Sequence, residues 1–392
     1  MSTMNRLFQV MADKKASDIF LSVGSPINIK INGVVMPINQ QALDGNTIQT
    51  LLLEVIDDKQ KKEYEDTLEL NTAYTLHGVG SFRISAFRQK GSPSVVVRYI
   101  PGVIPPIDSL ALPPILKDLI LEKRGLILMV GATGSGKSTT LAAMLDFRNE
   151  QTTGHILTLE DPVEFIFQNK KSIVNQREVG TDTLDMKVGL KNALRQAPDC
   201  ILIGEIRDKE TMTSAIQYAQ SGHLCLATLH ANNSYHAMNR IISFYPLESR
   251  AALLQDLAAT LRCVISQRLV KNVRGTRSAA VEVMLNSRHM AELIEKGEIG
   301  EMKDAMEKAL TAGSQTFEQS LFKLINDGVI TQDEGIANAD SANNLLWLIN
   351  NTQAGADLAL GRTPQAASRP SAAGTASSFS DFKLDTSETE RV

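Results

Sequence analysis

Cysteine is scarce: Cys200, Cys225 and Cys263 are the only three in 392 residues, and no Cys-x-x-Cys pair occurs. That excludes a disulfide scaffold and a four-cysteine zinc module. An excess of one charge is also missing, since 40 lysines and arginines face 44 aspartates and glutamates for a net charge of -4. The balance offers no bulk-charge argument for nucleic-acid binding or for a polybasic membrane patch. Long apolar runs are absent as well. The run beside the main motif, Leu126–Val130, falls far short of the ~20 residues that cross a bilayer. Met1–Lys15 is amphipathic, with neither an unbroken apolar core nor a cleavage site, so it does not read as a signal peptide. These absences leave the expectation of a cytoplasmic protein. Hydrophobic residues at 43% and charged residues at 21% are ordinary for a globular chain. At about 150 residues per domain, two or three domains are expected.

The first hundred residues alternate short strand-like and helix-like stretches. Leu7, Phe8, Val10 and Met11 fit one face of an opening helix. Strands are expected at Asp18–Val23, Ile27–Ile31, Asn71–Leu76, Ser81–Arg88 and Ser94–Ile100, with a helix around Asn46–Val55. In Ser81–Arg88 the alternation puts Phe82, Ile84 and Ala86 on one face and Arg83, Ser85 and Phe87 on the other. Val95, Val97 and Tyr99 likewise oppose Val96 and Arg98. Residues 1–100 therefore read as a small antiparallel α+β domain with arginines projecting from its sheet. Pro101, Pro105, Pro106, Pro113 and Pro114 follow, and residues 101–115 read as an extended linker because prolines so dense fit neither helix nor central strand. From residue 116 to about 345 apolar strands, Leu126–Val130, Ile156–Leu159, Cys200–Ile203 and Leu224–Thr228, alternate with helical patterns. That alternation predicts a parallel sheet covered on both faces. Residues 346–392 turn to Ala, Ser, Gly, Thr and Pro, chiefly after Gln353, and read as a largely disordered tail.

Gly131-Ala-Thr-Gly-Ser-Gly136-Lys137-Ser138 matches the phosphate-loop pattern in full, with a buried strand before it and a helix-forming run, Thr139–Asn149, after it. Its glycines let backbone amides turn toward phosphate, and the helix N-terminus adds positive potential. Lys137 would reach the β- and γ-phosphates of ATP and Ser138 would bind Mg2+. Gly131, Thr133, Gly134, Ser135, Gly136 and Thr139 complete the cradle. Cys200-Ile-Leu-Ile-Gly-Glu205 is an apolar strand ending in a carboxylate, the form of a second nucleotide motif that also serves the metal. It could equally be a surface glutamate; the phosphate loop favours the first reading. Leu159-Glu160-Asp161-Pro162-Val163-Glu164 puts three carboxylates within five residues, able to orient water or metal. His223 and His230 flank the next strand. Their odd spacing places them on opposite faces, so they do not form a metal pair.

These stretches together resemble the secretion-type hexameric ATPases, and within them the PilT/PilU-type motors that retract type IV pili. GATGSGKSTT at 131–140, LTLEDPVEF at 157–165, ILIGEIRD at 201–208 and SGHLCLATLH at 221–230 stand in the family's order and spacing. The resemblance covers roughly residues 1–345. It implies a PAS-like N-terminal domain followed by a RecA-like ATPase domain, assembled as a homo-hexamer that hydrolyses ATP with Mg2+. It further implies that Glu164 is the general base, that Glu205 helps hold the metal site, and that His223 and His230 contact the γ-phosphate. Arg83 and Arg98 are candidates for transition-state charge neutralisation, with Arg195 and Arg240 as further nucleotide contacts. The implied partners are an inner-membrane platform protein, which would recruit the ring to the membrane face without insertion, and a PilT-type ATPase.

Two features narrow the resemblance. Assembly-type relatives carry an extra N-terminal domain and usually a four-cysteine module, neither of which precedes or accompanies this phosphate loop. The PilT branch carries Ala-Ile-Arg-Asn-Leu-Ile-Arg-Glu in a C-terminal helix, whereas this chain reads His289-Met-Ala-Glu-Leu-Ile-Glu-Lys296, without either arginine. That departure resembles the accessory, PilU-type members. A secretion or DNA-transfer ATPase of the same superfamily fits less well. A ring-forming scaffold that binds ATP and hydrolyses little is the competing class, and the complete set Lys137, Ser138, Glu164 and Glu205 argues against it.

Overall fold

The structure is a computed structural model that describes residues 2–31, 33–100, 103–308 and 311–359. Residues 1–345 form one compact unit, and residues 346–392 are grouped apart. No helix among the described residues is long and apolar enough to cross a membrane.

The N-terminal part is an antiparallel sheet with helices packed on it. Its strands are β1 (Asp18–Leu21), β2 (Asn28–Ile31), β3 (Val34–Pro37), β4 (Glu69–Leu76), β5 (Gly80–Gln89) and β6 (Ser92–Ile100), in the order β3-β2-β1-β6-β5-β4. The helices are α1 (Thr3–Asp13), α2 (Gly45–Leu53) and α3 (Asp58–Thr67). Met4, Leu7, Phe8 and Met11 form the buried stripe of α1, and the Phe8 ring stacks on Phe82 with centroids 4.1 Å apart. Phe82, Ile84 and Ala86 are buried on β5, as the alternation predicts. Helix α3 escapes a periodicity reading because Tyr64 is its one buried residue. It is held instead by a capping box, in which Asp57 accepts from Gln60 N and the Gln60 side chain accepts from Asp57 N.

Residues 107–110 form a 3-10 turn, and Ile107 is buried with Leu116 and Leu119 of α4 (Ile115–Ile120). The proline-rich stretch is therefore partly packed rather than extended throughout. The second sheet contains β7 (Gly125–Val130), β8 (Gly154–Glu160), β9 (Ser172–Glu178), β10 (Cys200–Ile203), β11 (Leu224–Leu229), β12 (Leu261–Lys271) and β13 (Arg277–Leu285). Its order is β13-β12-β7-β11-β10-β8-β9. All pairs are parallel except β12 with β13, so the expected parallel sheet carries one antiparallel edge. Alternate residues of β7 feed opposite cores: Leu126, Leu128 and Val130 on one face, Ile127 and Met129 on the other. Such two-sided burial makes these strands read as unbroken apolar runs. The three cysteines lie within β10, β11 and β12, and burial pushes the Cys200 thiol up to about 12.

Helices α5 (Lys137–Gln151), α6 (Met186–Ala193), α7 (Lys209–Gln220), α8 (Ser234–Ser243) and α9 (Arg250–Thr260) connect the strands. Beyond β13 follow α10 (Arg288–Lys296), α11 (Met302–Lys308), α12 (Phe317–Asn326), α13 (Gln332–Asn338) and α14 (Ala342–Ala359). The expected tail thus begins inside a helix, since no proline interrupts the chain between α14 and Pro364. Residues 360–392 lie outside the described residues. On α10, Met290, Leu293 and Ile294 are buried while His289, Glu292 and Glu295 face outward.

Glu282 on β13 is a buried carboxylate whose Oε1 accepts from Ser266 Oγ at 2.8 Å and Ser234 N at 2.8 Å. Burial raises its pKa above the usual 4.5, and the negative charge of Asp340 adds to the rise. A raised folded-state value means that the native protein holds this proton more tightly than the unfolded chain. Stability is then lost as pH climbs from 4.5 through the folded value. Glu282→Gln keeps an acceptor for both donors and removes the buried charge. The variant should melt above wild type at pH 7, and the gap should close toward pH 4.5 in a calorimetric series. A gap independent of pH would contradict this assignment.

Candidate nucleotide site

The phosphate loop spans the gap between the end of β7 and the start of α5, with its backbone pressed against β12. Gly136 has φ +86°, and a Cβ there would lie 2.7 Å from Gln267 Nε2. A Cβ on Gly131 would lie 2.5 Å from both Gln267 O and Ser135 Oγ, so neither position admits a side chain. Gln267 is fully enclosed and grips the loop from both sides. Its Nε2 donates to Ser135 O at 2.8 Å, and its Oε1 accepts from Thr140 Oγ1 at 2.8 Å. Lys137 Nζ donates to Gly131 O at 2.7 Å and Ala132 O at 2.9 Å. Burial pulls the lysine pKa below 10.5, while the charges of Glu205 and Glu164 oppose that fall. Ser135 Oγ is buried with no hydrogen-bond partner in the protein, an orphan donor in a loop shaped for anions.

The acid-rich turn after β8 divides its three carboxylates between different tasks. Glu160 turns inward, where its Oε1 accepts from Thr158 Oγ1 at 2.6 Å. Burial raises its pKa, and hydrogen bonds from Thr158, Gln176 and the Glu164 backbone oppose the rise. Glu164 is exposed and lines the cavity below the phosphate loop. Asp161 pairs with Arg207 at 3.4 Å. The turn is braced from β9. Gln176 accepts from Phe167 N at 2.9 Å and donates to Phe165 O at 2.7 Å, and Glu178 accepts from Val163 N at 3.0 Å. Glu205 follows β10 and meets Arg207 Nε at 2.7 Å and His230 Nε2 at 3.3 Å. Gly204 lets the two acidic strand ends meet, because a Cβ there would sit 3.0 Å from Glu160 Cα.

One cavity of about 650 Å³ gathers Thr133, Gly134, Gly136, Lys137, Ser138 and Thr139 with Glu164, Glu205 and His230. That volume suits a nucleotide-sized ligand. Arg83 and Arg98 of the N-terminal sheet line the same cavity. They stand directly opposite each other in the β5–β6 register, and Arg98 Nε also pairs with Asp18 at 3.0 Å. Two like charges across a strand pair are unfavourable until an anion sits before them. Arg277, at the start of β13, lines the cavity as well and was not singled out from sequence. Gln267, Gln176 and Glu178 were missed too, because they belong to no local motif.

Three expected contacts are not brought to this cavity. His223 and His230 bracket the six residues of β11, which separates them by roughly 20 Å along the strand. The His223 ring instead meets Ser221 and Tyr218 O at the opposite end of the sheet. Arg195 lies exposed in the turn before β10, and Arg240 near the end of α8, over the Phe244 ring. Among the described residues no group of three or more His, Cys, Asp or Glu side chains could hold a metal unaided. Ser138, Glu205 and Glu164 supply hydroxyl and carboxylate oxygen to one cavity, a donor set that suits Mg2+ sharing its shell with phosphate and water.

Gln267→Ala should remove both grips on the phosphate loop. At about 1 kcal/mol for each of the two buried hydrogen bonds, nucleotide affinity should fall by up to roughly 30-fold while secondary structure is retained. Titration with a fluorescent ADP analogue measures this; unchanged affinity would separate Gln267 from loop geometry.

The sequence matches the Type II/IV secretion system protein family over residues 1–336. It is 46% identical over 345 residues to the type IV pilus ATPase PilU of Pseudomonas aeruginosa, covering 88% of this chain and 90% of that protein. It is 38% identical over 330 residues to the type IV pilus retraction ATPase PilT of the same organism, covering 84% and 96%. The fold is similar to a crystal structure of the pilus retraction motor PilT with bound ADP. That match has a TM-score of 0.82 at 35% identity, over 88% of this chain and 99% of that one. Because that match spans residues 1–336 of the 392, the chain belongs to the Type II/IV secretion system protein family.

Proposed function

We propose that this chain is the subunit of an ATP-hydrolysing ring that drives type IV pilus retraction as an accessory to a PilT-type ATPase. The observation that carries the reading is the single cavity joining Lys137 and Ser138 to Glu164, Glu205 and His230. The likeness to PilU and PilT directs that chemistry to the pilus. On this reading the six-stranded part is the PAS-like domain and the seven-stranded part the RecA-like ATPase domain. Six copies close into a ring on a platform protein at the inner face of the cytoplasmic membrane.

The chain's groups divide the work. Backbone amides of the phosphate loop and Lys137 hold the β- and γ-phosphates, leaving the carbonyls that Lys137 now contacts. Mg2+, held by Ser138 with Glu205 nearby, would neutralise phosphate charge. Glu164, exposed at the cavity and fixed by the β9 brace, accepts the proton of the attacking water. His230, beside Glu205, contacts the γ-phosphate and responds to its loss. Arg83 and Arg98 offset the charge that develops as the bond to the leaving oxygen breaks.

Lys137→Ala should weaken nucleotide binding about 10-fold or more and abolish turnover. Glu164→Gln should bind nearly normally and turn over about 100-fold more slowly, because an amide cannot accept the proton. Equal loss of affinity in both variants would remove Glu164 from the role of base. A wild-type chain that binds ATP but releases no phosphate would be the scaffold instead.

The cellular role is tested in two strains, one lacking the PilT-type ATPase and one in which that ATPase is catalytically dead. Ala291 and Glu295 of α10 stand where the retraction-type helix carries arginines, and Glu292 adds a second outward carboxylate, so an independent grip on the machine is not expected. Retraction should persist in the catalytic mutant and vanish in the deletion. Retraction in the deletion strain would overturn the accessory role.

A further inference from the structure

His230 leaves β11 on a short stretch, residues 230–233, that has no regular structure before α8 opens at Ser234. Side chains from distant parts of the chain hold that stretch. Arg268 Nη2 donates to Asn232 O at 3.2 Å, and Asp340 accepts from Asn233 Nδ2 at 2.7 Å. Arg268 and Asp340 are also ion-paired to each other. The other arm of the guanidinium, Nη1, donates to Asn338 O at 2.7 Å, and the group lies over Phe317 at 3.9 Å from the ring centroid. Both partners are mostly shielded, with side-chain exposures of 23% and 19%, so water screens the pair only in part.

The neighbour of Arg268 on β12 is Gln267, whose amide holds the phosphate loop. Two consecutive residues of one strand therefore set the two walls of the cavity, one holding the loop of Lys137 and the other the turn of His230. Arg268 holds its turn only while something fixes its own fork. Asp340 does this, and with its second oxygen it grips Asn233 directly.

We infer that Arg268 and Asp340 form a positioning clasp that aims His230 at Glu205 and the γ-phosphate. Asp340 does not line the cavity and acts only through the turn. The inference deepens the proposed function and rests on His230 contacting the γ-phosphate. Without Asp340, Arg268 loses its counter-ion and Asn233 loses its acceptor. His230 then samples orientations that no longer meet Glu205.

The test is steady-state ATP hydrolysis by the assembled full-length protein carrying Asp340→Ala, Asp340→Asn, His230→Ala, or Asp340→Ala with His230→Ala. Melting temperatures are measured alongside. Asp340→Ala should lower kcat about 5- to 10-fold with KM for ATP within about 2-fold, and Asp340→Asn, which keeps an acceptor for Asn233, should lose less. In the His230→Ala background, Asp340→Ala should cost under about 2-fold more, since its target is already gone. Full multiplication of the two single effects would overturn the clasp, as would wild-type kcat in Asp340→Ala or a loss confined to melting temperature. Wild-type kcat in His230→Ala would instead remove the reading of His230, and the clasp with it. Asp340→Asn separates these outcomes from a folding failure, because it preserves the shape of the side chain.

Discussion

Parallel pairing of β7, β11, β10 and β8 is the constraint on which the site depends. When neighbouring strands run the same way, every turn that leaves them emerges at one edge of the sheet. The phosphate loop, the acidic turn, Glu205 and His230 are four such exits. None needs a long loop to reach the others, and each is anchored on a strand buried from both faces. The ligand is met by short turns on rigid supports.

A second layer of groups holds that edge in shape. Gln267 braces the phosphate loop, Gln176 and Glu178 brace the turn of Glu164, and Glu282 caps the start of α8. These side chains come from β9, β12 and β13, strands that flank the central four. Their polar atoms are paired, and all but Gln176 are buried, which gives each a fixed direction. The acidic turn illustrates the division: Glu160 and Glu164 lie four residues apart, yet one is sealed inside and the other open to the cavity.

Legibility in the sequence followed this division. The phosphate loop, the acidic turn and the acid-ending strand Cys200–Glu205 could be read because each is a run of consecutive residues whose types are dictated by local chemistry. The central strands could be read because two-sided burial leaves unbroken apolar runs. Arg83 and Arg98 were reachable through alternation on β5 and β6. The braces were not, since Gln267 lies 127 residues from Thr140 and nothing in its own neighbourhood marks it. Helix α3 lacks an apolar stripe, and the antiparallel edge of the second sheet carries no signal that separates it from another parallel strand. His223 shows the converse error. The resemblance implied that it shares a γ-phosphate contact with His230, whereas an extended strand lies between the two and His223 meets Ser221 and Tyr218 O instead.

The facing arginines of β5 and β6 carry a consequence for how the two sheets behave as a pair. Asp18 pairs with Arg98, and a polyanion in the cavity the two arginines share with the phosphate loop would offset the repulsion that remains. On the proposed reading of these arginines, nucleotide acts as mortar between the N-terminal sheet and the ATPase sheet, and its binding is thermodynamically linked to their juxtaposition. Whatever affinity the ligand gains from the arginines, the juxtaposition of the sheets gains by the same increment. When water takes the γ-phosphoryl group and it departs as inorganic phosphate, that increment shrinks and part of the repulsion returns. On that reading a change of charge at a single phosphate becomes a change in the force between two sheets of one compact unit, which is the elementary event any machine that pulls must contain.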